Sequence, residues 1–85
     1  MALNIFYKKG TYLLKGQMNE TTSSSFLKHF SYLMSIEEGL TIDIKKIKKI
    51  DNNGKQALKT LYEKAIDKNL RLKILGIDHT ITSHQ

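Results

Sequence analysis

None of the 85 residues is cysteine, so no disulfide framework, thiolate nucleophile or thiolate metal ligand is available, and the redox compartment stays open. Long apolar runs are missing too. Nothing approaches the roughly 18 residues a membrane-spanning helix needs, and the opening MALNIFYKKGTYLL places two lysines directly after a short alternating run, unlike a signal peptide. A cytoplasmic protein without membrane insertion is the expectation. Arginine is scarce: Arg71 stands alone among 14 basic side chains, against 8 acidic ones, for a net charge of +6. Such a field speeds encounters with an acidic protein, an anionic membrane or nucleic acid. Lysine lacks the guanidinium fork that favours bidentate phosphate and base contacts, so solubility or partner steering is the main reading.

Catalytic patterns are equally sparse. His29 falls among Phe26, Phe30 and Leu33, His79 and His84 lie in a polar tail, and no metal-binding His-x-x-x-His or Glu-x-x-His spacing occurs. Ser23, Ser24 and Ser25 lack a Gly-x-Ser-x-Gly setting and read as helix-capping residues. A glycine-rich phosphate loop is missing, and Asp43 and Asp51, one on a strand and one on a loop, have no evident reason to meet. The expectation is a non-enzymatic protein without metal or cofactor.

What is present is a clear alternation of elements. At this length the chain is one domain, burying only roughly 60–65% of its unfolded surface. Leu3, Ile5 and Tyr7 alternate with Asn4, Phe6 and Lys8, Lys9-Gly10 makes a turn, and Thr11 to Lys15 forms a second run ending at Gly16, a hairpin pattern. Asn19 to Ser25 supplies helix-start oxygens, and Phe26, Leu27, Phe30, Leu33 and Met34 then share one helical face until Glu37, Glu38 and Gly39. Leu40, Ile42 and Ile44 alternate as a strand with one covered face. Lys45 to Ile50 reads as a basic connector, anchored by Ile47 and Ile50, and Asp51-Asn52-Asn53-Gly54 as the turn into a second helix. That helix shows Ala57, Leu58, Leu61, Tyr62, Ala65 and Ile66 on one face and breaks at Asn69; Leu70, Leu72, Ile74 and Ile77 mark a fourth strand. The order β-β-α-β-α-β predicts a mixed four-stranded sheet: an antiparallel hairpin, two right-handed parallel crossovers, and both helices on one face. The division is a domain over 1–76 and a polar tail over 77–85. A short last strand leaves an open sheet edge, which makes a homodimer plausible.

The segment LTIDIKKIKKIDNNG, with Gly16, Asp43, Ile44, Ile47, Ile50, Asp51, Gly54, Leu58 and Gly76 at matching places, resembles the STAS domains of anti-sigma-factor antagonists and sulfate transporter tails. The likeness spans residues 3–76; the family's last strand and terminal helix are missing or reduced to the final ten residues. In bacterial regulatory members the turn reads Asp-Ser-Ser/Thr-Gly, and the hydroxyl residue before the glycine is phosphorylated to switch partner binding. Here that residue is Asn53, which has no hydroxyl and resembles the permanently unphosphorylated state. The resemblance implies a protein-protein interaction module acting as an anti-sigma-factor antagonist in a bacterial cytoplasm, with a kinase-like anti-sigma factor as partner. A subunit bound to the ATPase of an ABC lipid transporter is the alternative. The implied partner-binding residues are Asp51, Asn52, Asn53, Gly54 and Lys55.

Beside them, Lys45, Lys46, Lys48 and Lys49 are expected to form a basic lip suited to an acidic protein surface. A solvated rim is the plainer reading of the same lysines. A third functional reading makes them a weak site for anionic ligands such as lipid or nucleic acid. With no aromatic stacking pair among these lysines and no arginine-rich recognition helix, nucleic acid is the least supported partner.

Overall fold

The computed structural model describes residues 3–76 of the chain. Six elements follow one another: β1 (Leu3–Lys8), β2 (Thr11–Met18), α1 (Glu20–Met34), β3 (Gly39–Ile50), α2 (Asn52–Asp67) and β4 (Arg71–Leu75). Spatial order in the sheet equals chain order; β1 is antiparallel to β2, whereas β3 is parallel to both β2 and β4. The expected mixed sheet and element order are therefore present. Both crossovers run in the same direction across the sheet, so right-handed connections bring both helices to one face, where they pack on each other.

Local chemistry accounts for the joints. Lys9 and Gly10 both have positive φ (50° and 85°), the geometry a two-residue hairpin turn requires between the closing pair Lys8 and Thr11. Helix α2 ends in a Schellman motif. Asn69 takes the left-handed position at φ 57°, its N–H donates to the Ile66 carbonyl, and the Leu70 N–H donates to that of Ala65. The core between sheet and helices holds Leu14 and Met18 from β2, Ile42, Ile44 and Ile47 from β3, Phe26 and Phe30 from α1, and Leu58 and Leu61 from α2, all buried.

Several boundaries differ from the sequence reading. β2 continues past Gly16 to Met18, and the presumed connector at Lys45–Ile50 is the second half of a 12-residue strand. The alternation breaks there because the register against β2 shifts twice: Leu13 to Lys15 faces Asp43 to Lys46, and Gly16 to Gln17 faces Ile47 to Lys49. Each shift inserts one extra residue in β3, a β-bulge, so Ile44, Ile47 and Ile50 at three-residue spacing all turn toward the helices. The Ser/Thr cluster is not the lead-in to α1 but its first turns. Ile66, assigned to the buried face of α2, is 74% exposed, because it sits about 100° round the helix from the buried Ala65, off the face formed by Leu58, Leu61 and Ala65. Ile77 and the tail over 77–85 lie outside the described residues.

Candidate partner-binding edge

The parallel pairing of β2 with β3 brings their carboxyl ends side by side, so α1 and α2 start next to each other. At α2 the cap is Asp51. Its backbone is extended (φ −89°, ψ −171°), and its Oδ1 accepts from the Gly54 N–H at 3.0 Å. Its own N–H donates to the Met18 carbonyl at 3.1 Å, which ties the helix start to the end of β2. The carboxylate thereby offsets the positive end of the helix dipole and satisfies one orphan donor.

Asn52 and Asn53 thus belong to the first turn of α2 rather than to a preceding loop, with exposed side chains and ordinary backbone; neither adopts positive φ. Gly54, the third helical residue, is buried against β2 and β3. A Cβ there would come within 2.7 Å of Ile50 Cγ2, 2.8 Å of Met18 Cβ and 3.0 Å of the Met18 carbonyl oxygen. Close approach, not an unusual dihedral, is what requires glycine. Lys55 follows, exposed.

At α1 the cap is Asn19, in a reciprocal arrangement with Thr22. Asn19 Oδ1 accepts from the Thr22 N–H at 3.1 Å, and Thr22 Oγ1 accepts from the Asn19 N–H at 2.9 Å while donating to the Gln17 carbonyl at 2.8 Å. Ser23, Ser24 and Ser25 are not the cap: Ser23 Oγ is buried without a hydrogen-bond partner, and Ser24 and Ser25 are exposed. Between the two caps lies a cleft of about 280 Å³, lined by Gln17, Met18, Asn19, Lys49, Ile50 and Asp51. Gln17, Met18 and Asn19 were not foreseen as part of this edge. The signal was available in principle, since parallel neighbours place the ends of successive strands together.

The lysines are less concentrated than a single lip requires. Lys49 lines the cleft, and Lys48 precedes it in the strand. Lys45 and Lys46 lie further back along β3, and Lys45 Nζ stands 3.7 Å from Asp43 Oδ2. Asp43 Oδ1 also accepts from the Lys45 N–H at 2.9 Å. Asp43 and Asp51 do not converge: eight positions separate them, two of them taken up by the bulges, which leaves roughly 20 Å at the usual strand rise. His29 is exposed and edge-on to the Phe30 ring, 5.0 Å between centroids. Among the described residues no group of three or more His, Cys, Asp or Glu could hold a metal ion.

This strand and helix order, with a capped helix start beside the end of β2, defines a STAS-like fold. The STAS domain of an anti-sigma-factor antagonist from Rhodobacter sphaeroides superposes with a TM-score of 0.68 at 17% identity, covering 98% of this chain and 94% of that one. Part of a larger chain, Mglu, superposes with a TM-score of 0.73 at 10% identity, over 92% of this chain and 20% of that chain; its native form gives 0.63 at 9% identity, over 84% and 22%. No protein-family model matches the sequence, and no curated protein matches it significantly, so the likeness is one of fold.

Proposed function

We propose that the chain is a non-enzymatic protein-protein interaction module of the anti-sigma-factor antagonist kind, acting in a bacterial cytoplasm. Its partner is a kinase-like anti-sigma factor, docked on the start of α2 through Asp51, Asn52, Asn53, Gly54 and Lys55. The observation that supports this most is the Asp51-capped first turn, which holds Asn52 and Asn53 exposed beside the cleft between the two helix starts. Asn53 offers a small neutral amide where a phosphorylatable hydroxyl would act as a switch, so docking here is constitutive. Residues 1–76 form the interacting domain and 77–85 its tail. Lys48 and Lys49 extend the docking edge, and Lys45 and Lys46 steer an acidic partner toward it.

The test is co-purification from the native host, followed by affinity measurement for whatever co-elutes. Asn53→Asp puts a charge where phosphate would sit and should weaken that affinity while leaving the fold intact. If Asn53→Asp and Asn53→Lys both bind normally, whereas changing Lys45, Lys46, Lys48 and Lys49 together to Glu abolishes binding, the turn is not the docking site. Co-elution with a transporter ATPase instead would select the lipid-transport reading.

A further inference from the structure

Charge is divided unevenly between the two layers of the fold. Nine of the 14 basic side chains lie on the strands or the β1–β2 turn, where Asp43 is the one acidic residue; the helices and remaining described connections carry five lysines and six carboxylates. Strand alternation and register assign six of those cations to the sheet face opposite the helices: Lys8, Lys15, Lys46, Lys49, Arg71 and Lys73. Among the described residues the one ion pair is Lys45 with Asp43, and no element packs on this face.

Across its middle runs a row set by the register, Phe6 to Leu13 to Asp43 to Leu75, three of the four apolar. Phe6 is 50% exposed, and Leu13 and Leu75 are half-buried. Beside this row, Lys15 and Lys46 are direct cross-strand neighbours, a like-charge pair that costs stability in the free chain and that a bound anion would relieve.

We propose that this open sheet face docks on an anionic lipid bilayer, with lysines engaging headgroups and Phe6, Leu13 and Leu75 settling shallowly among them. Three observations select a bilayer. The face is a sheet of four strands, roughly 19 Å wide, which suits a planar array of charge. Its cations are lysines apart from Arg71, whereas protein interfaces are depleted in lysine and enriched in arginine. Phe6 is its one aromatic side chain, so no stacking platform for bases exists. Lysine stems around an apolar strip, with charged heads reaching outward, are the pattern of an interfacial binder. This face meets the helix-start edge at Lys49 and shares Lys46 with the steering lysines, whereas Phe6, Lys15 and Lys73 belong to it alone, so vesicle binding can fail while partner docking at Asn53 persists, and the reverse.

The experiment is co-sedimentation of the full chain with vesicles of phosphatidylcholine alone and of phosphatidylcholine with roughly one-third phosphatidylserine, at low and high salt. Binding is expected for the anionic vesicles only, weakening with salt. Lys15→Gln, Lys46→Gln and Lys73→Gln together should lower it about 100-fold, at about five-fold per lysine. The equal charge change Lys28→Gln, Lys59→Gln and Lys64→Gln, on the helices, should lower it less than about five-fold. Phe6→Ser should weaken binding with the salt dependence retained, and circular dichroism verifies that each variant is folded. Equal losses in the two triple variants would show a net-charge effect and overturn the assignment. So would indifference to phosphatidylserine, or face variants that keep vesicle binding but lose binding to a single-stranded RNA or an acidic protein.

Discussion

Gly54→Ala tests the packing that sets the helix-start edge. In a solvent-exposed helix this change stabilises by about 1 kcal/mol, because alanine has the higher helix propensity. Here the new methyl would stand 2.8 Å from Met18 Cβ and 3.0 Å from the Met18 carbonyl oxygen, neither of which a rotamer change can move, and 2.7 Å from Cγ2 of the β-branched Ile50. Relief requires α2 to lift from the ends of β2 and β3, an overpacking cost of about 1–3 kcal/mol. The expected net effect is therefore a loss of about 0–2 kcal/mol, or a drop in Tm of up to roughly 16 °C for a domain of this size. Urea and thermal unfolding measure it, with Ile50→Ala/Gly54→Ala as a second arm. Removing Ile50 Cγ2 opens one of the three contacts, so the double variant should lose less than the sum of the single ones. A Gly54→Ala protein more stable than wild type would refute the close-packing argument.

Other residues give simpler tests. Asp51→Ala removes the acceptor of the Gly54 N–H and the charge facing the helix dipole, and should cost about 1 kcal/mol in chemical unfolding. Asn53→Asp adds an acid in the first turn of α2 and should raise stability by roughly 0.3–1 kcal/mol at low salt, an effect that fades when salt is added. Ser23→Ala deletes a buried hydroxyl without a partner and should be neutral or stabilising by up to about 1 kcal/mol; a clear loss of stability would reveal a hydrogen bond at that oxygen. Thr22→Val breaks both the reciprocal cap with Asn19 and the bond to the Gln17 carbonyl, and should cost about 1–2 kcal/mol by the same assay.

The hairpin, both helices and the order of strands were legible because each has a local cause. Lys9-Gly10 dictates a turn, and Phe26, Phe30 and Met34 fall on one face. The reading failed where the cause was not local. Nothing in IKKIKKI announces two β-bulges; its three-residue period mimics neither a regular strand nor a helix, and it persists as a strand because β2 supplies the pairing on the far side of α1. The Ser/Thr cluster misled for a related reason. Any of several hydroxyls could cap a helix, but Thr22 is held by the Gln17 carbonyl at the end of β2, and this selects Asn19 as the cap. At the candidate edge, Asp51 and Gly54 were visible from their turn chemistry. The contribution of Gln17, Met18 and Asn19 needed the parallel register.

The bulges also explain how one strand serves both faces. A regular strand would alternate, and with isoleucines three residues apart every second one would point away from the helices. Adding one residue at each bulge resets the phase, so Ile44, Ile47 and Ile50 all reach toward the helix layer while Lys46 and Lys49 stay on the open face opposite Lys15 and Gln17. The same resets bring Ile50 against Gly54 and Lys49 into the cleft beside Asp51. The charge of the open face and the position of the α2 cap are thus set by one feature, the irregular half of β3. Lys48 is the extra residue of the second bulge, so deleting it should leave Lys49 opposite Gln17 and Ile50 opposite Met18, with the cap edge and the basic face both kept. Deleting Lys49 instead would leave Lys48 to take the place opposite Gln17 by the same alternation, whereas inserting one residue after Ile50 would push Asp51 out of register with the Met18 carbonyl and cost the α2 cap its tie to β2.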